Sequence, residues 1–86
     1  MFHSYHQRLL SIESITDTGT LDQGYWIVGF EVAPPEVGER WNVMRTVRNG
    51  VVKNGLFTTS PVKVVVISSE GYIVETENST YKARWL

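Results

Sequence analysis

The sequence predicts an all-β fold, namely a small antiparallel barrel of five to seven short strands. Its 86 residues are enough for one domain with a small core. Turn-forming pairs such as Asn49-Gly50, Ser60-Pro61 and Glu70-Gly71 recur at intervals of about eight to twelve residues, between β-branched and aromatic runs that alternate as strands do. Barrels of this size include SH3-like and OB-like types, and the alternative is a meander that curls without closing.

The N-terminal stretch allows two interpretations. Ser4-x-x-Gln7 resembles a helix-capping box, and Leu9 and Ile12 follow at helical spacing, which would give a short N-terminal helix. However, residues 9–16 contain β-branched residues and serines and precede a glycine-containing loop. We therefore favour a strand at about 9–16 that forms a hairpin with the next strand.

The second predicted strand spans residues 24–32. Alternation places Trp26, Val28, Phe30 and Val32 on one face, and aromatic residues that alternate in this way are typical of a core.

The third predicted strand spans residues 40–48 and has two chemically different faces. Trp41, Val43 and Val47 form the apolar face, whereas Arg40, Asn42, Thr46 and Arg48 form the polar one. Arg45 falls among the apolar set. We expect it near an open end of the fold, where its stem can pack while its guanidinium stays hydrated.

Two Asn-Gly pairs follow the third strand. Asn-Gly favours the tight type I′ turn of a hairpin. We predict that Asn49-Gly50 closes the hairpin and that Asn54-Gly55 shapes a loop or bulge, with the reverse assignment open at about even odds.

Three further strands are predicted in the C-terminal half. Residues 61–68 are apolar on both faces, as in a central strand, and residues 72–76 follow a Ser-Ser-Glu-Gly turn. In residues 79–85, Tyr81, Ala83 and Trp85 should face the core. Asn78-Ser79 should form the turn before this last strand; the match of Asn78-Ser-Thr to a glycosylation acceptor is attributed to chance.

Charge is distributed unevenly along the chain. Residues 40–69 contain five Lys or Arg and no Asp or Glu, whereas residues 1–39 contain six acidic side chains and only Arg8 as a cation. This basic middle segment is the most informative feature of the composition.

The sequence predicts no catalytic site, cofactor or metal site. It has no cysteine, no Gly-rich phosphate loop and no nucleophile–base pattern, and Glu75 and Glu77 fit a solvated strand face. Neither a signal-peptide pattern nor an apolar run long enough to cross a membrane is present, so we expect a soluble, cytoplasmic, non-enzymatic protein.

We therefore predict an interaction module that self-associates as a homo-oligomer or binds another protein. The segment 62–67 is flat and apolar, so it should be central or buried at an interface. The alternative is nucleic-acid binding through the basic segment 40–63, against which the pI of about 6.1 counts. The candidate binding surface comprises Arg40, Trp41, Arg45, Arg48, Lys53, Lys63, Lys82 and Arg84.

The C-terminal half also carries a modest motif. It consists of Thr-Ser-Pro-Val at 59–62 and Thr-x-Asn-Ser-x-Tyr at 76–81. About a third of the chain thereby resembles small uncharacterised bacterial and phage proteins. The resemblance implies a small β-rich fold and a mobile-element origin, and it implies no activity.

Overall fold

Six β-strands make up the described part of the protein. The computed structural model describes residues 8–15 and 25–86. The strands are β1 (Leu9–Ser14), β2 (Trp26–Glu31), β3 (Arg40–Arg48), β4 (Val51–Ile67), β5 (Gly71–Thr76) and β6 (Thr80–Trp85). No helix occurs in these two ranges, so none of the described residues could form a membrane-spanning helix.

The strands close into an antiparallel barrel in sequential order. Each strand pairs with its neighbours in the chain, and β1 pairs with β6 to complete the ring, with Ile12 opposite Ala83. The predicted small barrel is therefore confirmed, and closure rules out the open meander. Leu9 and Ile12 lie in a strand rather than a helix, whereas the predicted capping box lies outside the described residues.

The barrel interior is filled by alternate residues from all six strands. Its buried apolar members are Leu10, Ile12, Ile27, Trp41, Val43, Phe57, Val62, Tyr72, Val74, Tyr81 and Ala83. The aromatic rings meet edge to face: Trp41 lies 5.9 Å from Tyr72, and Phe57 lies 5.5 Å from Tyr81. The predicted inward positions Trp41, Val43, Tyr81 and Ala83 are confirmed, whereas Trp85 is only half-buried.

Asn49-Gly50 forms the tight turn between β3 and β4. Both residues have positive φ, 49° and 86°, as a type I′ turn requires. The Asn49 side chain accepts a hydrogen bond from the Trp26 backbone N–H at 2.9 Å, which ties the turn to β2. Asn54-Gly55 lies inside β4, where the register gains one residue between the pairs Val47–Val52 and Arg45–Gly55. It is thus the bulge that we predicted for the second Asn-Gly pair.

β4 is the longest strand, and it pairs with two different strands along its length. Its residues 51–61 pair with β3, and its residues 62–67 pair with β5. Apart from backbone bonds at Pro61 and Val62, each half therefore has one edge that no described strand pairs with. The prediction that residues 61–68 form a central strand is wrong, because beyond Val62, which bonds to Gly38 and Glu39, they pair only with β5 among the described residues, and Val64 and Val66 are exposed.

β2 orients its aromatic residues opposite to the expectation from sequence. Ile27, Gly29 and Glu31 point into the barrel, whereas Trp26 and Phe30 are exposed by 37% and 38%. The predicted core face of β2 is therefore the outer face.

Val47 is a second departure from the predicted core. It pairs with Val28 on the outer row, because a register shift near Arg45 reverses the alternation at the end of β3. Arg45 itself pairs with Gly29, which belongs to the inward-facing set of β2.

The β5–β6 turn is held by Thr76 and Ser79. The backbone N–H of Thr76 donates to the Ser79 carbonyl at 2.8 Å, and the Thr76 hydroxyl accepts from the Ser79 N–H at 3.1 Å. These bonds confirm the predicted turn and explain why two polar residues are buried there.

Candidate binding site on the β3–β4 arm

The tip of the β3–β4 hairpin carries apolar and basic residues on different sides. We define the arm as residues 44–56, which comprise the end of β3, the Asn49-Gly50 turn and the first part of β4. Within the described chain, β4 in this region pairs only with β3.

A continuous apolar surface covers the outer side of β2, β3 and the arm. Phe30 pairs with Met44 and Met44 with Leu56, so these side chains form one cross-strand row. Met44 is exposed by 46% and Leu56 by 56%. We define the outer apolar face as this row together with Trp26 and Val52, both of which are also exposed.

Arg45 lies on the opposite side of the arm. Its guanidinium lies across Gly55, where a Cβ atom would come within 2.6 Å of the Arg45 Nη2 atom. Its Nε donates a hydrogen bond to the Lys53 carbonyl at 2.9 Å. The absence of a side chain at Gly55 thus leaves room for the Arg45 guanidinium over β4.

Arg48 and Lys53 add two more cations to the arm. The Arg48 guanidinium lies 5.1 Å from the centre of the Tyr25 ring, and Tyr25 in turn stacks on Phe57 at 6.3 Å. Lys53 lies in the exposed bulge of β4. No carboxylate of residues 8–15 or 25–86 forms a salt bridge with any of these three cations.

The other predicted surface residues lie elsewhere. Arg40 begins β3, pairs with Pro61 and donates to the Thr59 carbonyl at 3.2 Å. Lys63 lies two residues beyond Pro61 on β4, where the register with β5 shifts. Trp41 is 1% exposed and donates its indole N–H to the Ala33 carbonyl, so it belongs to the core rather than to any surface.

Lys82 and Arg84 are remote from the arm. Both lie on β6, which is three strands from β3 in either direction around the six-stranded ring. Of the eight residues predicted to form one surface, the fold therefore brings only Arg45, Arg48 and Lys53 together on the arm.

A buried carboxyl group lies toward the opposite end of the barrel. Glu31 is 7% exposed, and its Oε1 accepts a hydrogen bond from the Tyr72 hydroxyl at 3.3 Å, whereas its Oε2 has no hydrogen-bond partner in residues 8–15 and 25–86. Burial raises the pKa of Glu31, although the Tyr72 hydrogen bond and the Arg8 charge act in the other direction. Burial and the nearby Glu31 charge also raise the pKa of Tyr72.

An open pocket at this end does not include the buried carboxyl group. Its lining residues are Arg8, Ser69, Glu70, Arg84 and Trp85, and the Arg8 guanidinium lies 4.1 Å from the centre of the Trp85 ring. In the described ranges, no three His, Asp or Glu side chains are grouped closely enough to hold a metal ion. The chemistry that this end offers is an aromatic and ionic surface.

Sequence reasoning missed both the outer apolar face and the buried Glu31. The signal for each was present in β2. Alternation along a strand puts Glu31 on the same face as Ile27, and Trp26 on the same face as Phe30. Alternation alone could not identify the inner set, since both sets contain apolar residues. The edge of the arm that faces away from β3 and pairs with no described strand had no sequence signal. It results from the way β4 pairs first with β3 and then with β5.

No protein-family model matches this chain, and comparisons with curated proteins and with solved structures find no match.

Proposed function

We propose that this protein is a non-catalytic interaction module that self-associates through the outer apolar face. The observation that carries the proposal is the unbroken row Phe30–Met44–Leu56, in which three large apolar side chains on adjacent strands are exposed by 38–56%. Exposed apolar surfaces that span several strands mark interaction sites on soluble proteins.

A second copy fits this face for two reasons. A two-fold interface brings identical patches together, and an uncharged apolar patch is complementary to itself. Arg45 lies on the other side of the arm, so that face-to-face pairing of two outer faces does not bring the two Arg45 side chains together.

The experiment is a measurement of mass against concentration by light scattering and sedimentation. We expect the wild type to dimerise reversibly and Met44→Lys to weaken dimerisation at least tenfold, since it would bury a charge in an apolar contact. Thr58→Lys is the matched control, because Thr58 is exposed on the neighbouring strand β4, pairs with Asn42 and lies outside the apolar row.

Two results would count against self-association through this face. One is a wild-type protein that remains monomeric at millimolar concentration. The other is a dimer that Met44→Lys and Thr58→Lys weaken equally. A folded Met44→Lys variant, verified by circular dichroism and thermal melting, is needed for either conclusion.

Nucleic-acid binding is the second candidate function. It is supported by the convergence of Arg45, Arg48 and Lys53 on the arm. Against it, Trp41 is buried, and the Arg48 guanidinium already lies over the Tyr25 ring. Neither aromatic ring is therefore free to stack on a base. Retention on single- or double-stranded nucleic acid at low salt tests this function, and Arg48→Glu with Lys53→Glu should abolish any retention.

A further inference from the structure

We propose that the free edge of the arm binds an acidic peptide segment in extended conformation by strand addition. The site is the edge of β4 residues 51–57 that faces away from β3, together with Arg45, Arg48 and Lys53. This proposal does not rest on self-association, because it concerns the edge and the basic side of the arm rather than the outer apolar face.

No described residue pairs with this edge. β4 residues 51–57 pair with β3 alone, and among the described residues no backbone–backbone hydrogen bond joins them to another strand; the Lys53 carbonyl accepts from the Arg45 Nε instead. An unpaired strand edge presents alternating N–H and C=O groups, which an incoming extended chain can satisfy with its own backbone. Backbone pairing would provide affinity with little sequence preference.

The cations of the arm specify the chemistry of the partner. Arg45 lies over β4 at Gly55, Arg48 lies over Tyr25, and Lys53 occupies the exposed bulge. There is no Asp or Glu anywhere in residues 40–69 to neutralise them. Carboxylates at alternate positions of an added strand would all point to one side of the sheet, so they could meet these cations together.

This edge favours an acidic peptide over a second copy of the chain. Pairing the edge with itself would place two sets of three cations side by side, which is repulsive. It favours a peptide over nucleic acid because a strand edge offers backbone hydrogen bonds that nucleic acid does not match. Lys82 and Arg84, which could have extended a basic track, lie on the far side of the barrel.

The binding experiment uses labelled ten-residue peptides and fluorescence anisotropy at low salt. The probe has Glu at every second position and Val or Thr between, and one control peptide has Lys in place of every Glu. A second control keeps the Glu residues but carries N-methyl groups on alternate backbone amides, which removes the donors of one strand edge while preserving charge. We expect the probe alone to bind, and its affinity to fall as salt is added.

Two protein variants test the role of the arm. Arg45→Gln with Arg48→Gln should weaken binding of the probe by roughly tenfold or more, because charge-assisted contacts are lost. Lys82→Gln with Arg84→Gln removes the same charge from β6 and should leave the affinity unchanged. Amide chemical shifts of ¹⁵N-labelled protein should change at residues 51–57, and the Met44→Lys variant should bind the probe as the wild type does.

Several outcomes would overturn the proposal. They are no binding of the Glu probe by the wild type, equal binding of the N-methylated peptide, and equal loss of affinity in the β6 variant. Tighter binding of a single-stranded oligonucleotide of the same length would assign the cations to nucleic acid instead. If the amide shifts at 51–57 depend only on protein concentration, the edge pairs with a second copy.

Discussion

The inner and outer faces of β2, β3 and β4 are both apolar, yet they have opposite environments. On the inner side Ile27, Val43 and Phe57 are buried in the barrel. On the outer side of the same sheet, Phe30 of β2 and Met44 of β3 are exposed by 38% and 46%. The comparison shows that hydrophobic content does not identify the core face of this sheet.

The face of β2 that points into the barrel is distinguished by the small size of Gly29 rather than by greater hydrophobicity. Gly29 lies where a Cβ would come within 2.5 Å of the Met44 carbonyl oxygen and 2.8 Å of Val43 Cγ1, so the strands approach too closely for a larger residue. Glu31 also lies on this face. A side chain as large as that of Trp26 or Phe30 does not fit at the Gly29 position, and both of these residues lie on the outer face.

The largest expected effect is on stability, from Phe57→Ala. Phe57 contacts the Tyr25 and Tyr81 rings inside the barrel, so its removal should cost about 3–5 kcal/mol of unfolding free energy. Leu56→Ala, one residue away on the outer face, should change the stability of the monomer by no more than about 0.5 kcal/mol. Urea denaturation of dilute protein measures both values. Similar costs for the two variants would mean that the two faces do not differ as described.

Gly29→Ala should have the next largest effect. The added Cβ would collide with the backbone of β3, which cannot move without breaking the β2–β3 pairing, and we expect a cost of about 1–3 kcal/mol. Gly55→Ala is the matched control, because the Cβ there would meet only the movable end of the Arg45 side chain. Thermal melting of both variants tests the difference, and a Gly29→Ala protein as stable as Gly55→Ala would contradict the close approach of β2 and β3.

The smallest expected effect is a change in the pH dependence of stability. Because burial raises the pKa of Glu31, the folded protein holds that proton to higher pH than the unfolded chain does. The stabilisation from this group is complete below the ordinary glutamate pKa of 4.5 and is lost as pH rises through the higher pKa of the folded state. Glu31→Gln should remove this loss, which urea denaturation at a series of pH values would measure.

Glu75→Gln provides the control for this pH effect. Glu75 is exposed on β5, so its replacement should leave the slope of stability against pH unchanged. If the wild type and Glu31→Gln lose stability equally between pH 4.5 and pH 7, Glu31 is not held in its protonated form by burial.

Much of the fold was predictable from local sequence. β3 was predicted at residues 40–48, the Asn49-Gly50 turn closes the hairpin, and Tyr81 and Ala83 face inward as their alternation indicated. These features depend on short-range chemistry, namely the positive φ that Asn-Gly accepts and the two-residue period of a strand. The predicted orientation of β2 was wrong because both of its faces contain apolar residues. Tertiary contacts therefore decide which set points inward.

The candidate site was less predictable than the fold. The basic segment was visible in the sequence, but the strands separate its members, so that Arg45, Arg48 and Lys53 lie on the arm while Arg40 and Lys63 lie near Pro61. Register shifts in β3 and β4 redirect side chains between faces, and a one-residue shift has no signature that a charge count could detect.

The sequence by itself therefore determined an all-β chain, its turns, most of its strands and a basic middle segment, because these follow from residue chemistry over a few positions. Only the tertiary structure decided that the strands close in sequential order, that Trp26 and Phe30 face outward, and that no described strand pairs with the second edge of β4 in the arm. The physical reason is that facing, closure and edge exposure depend on which strands meet. Those contacts join residues distant in the chain, whose pairing no local pattern specifies.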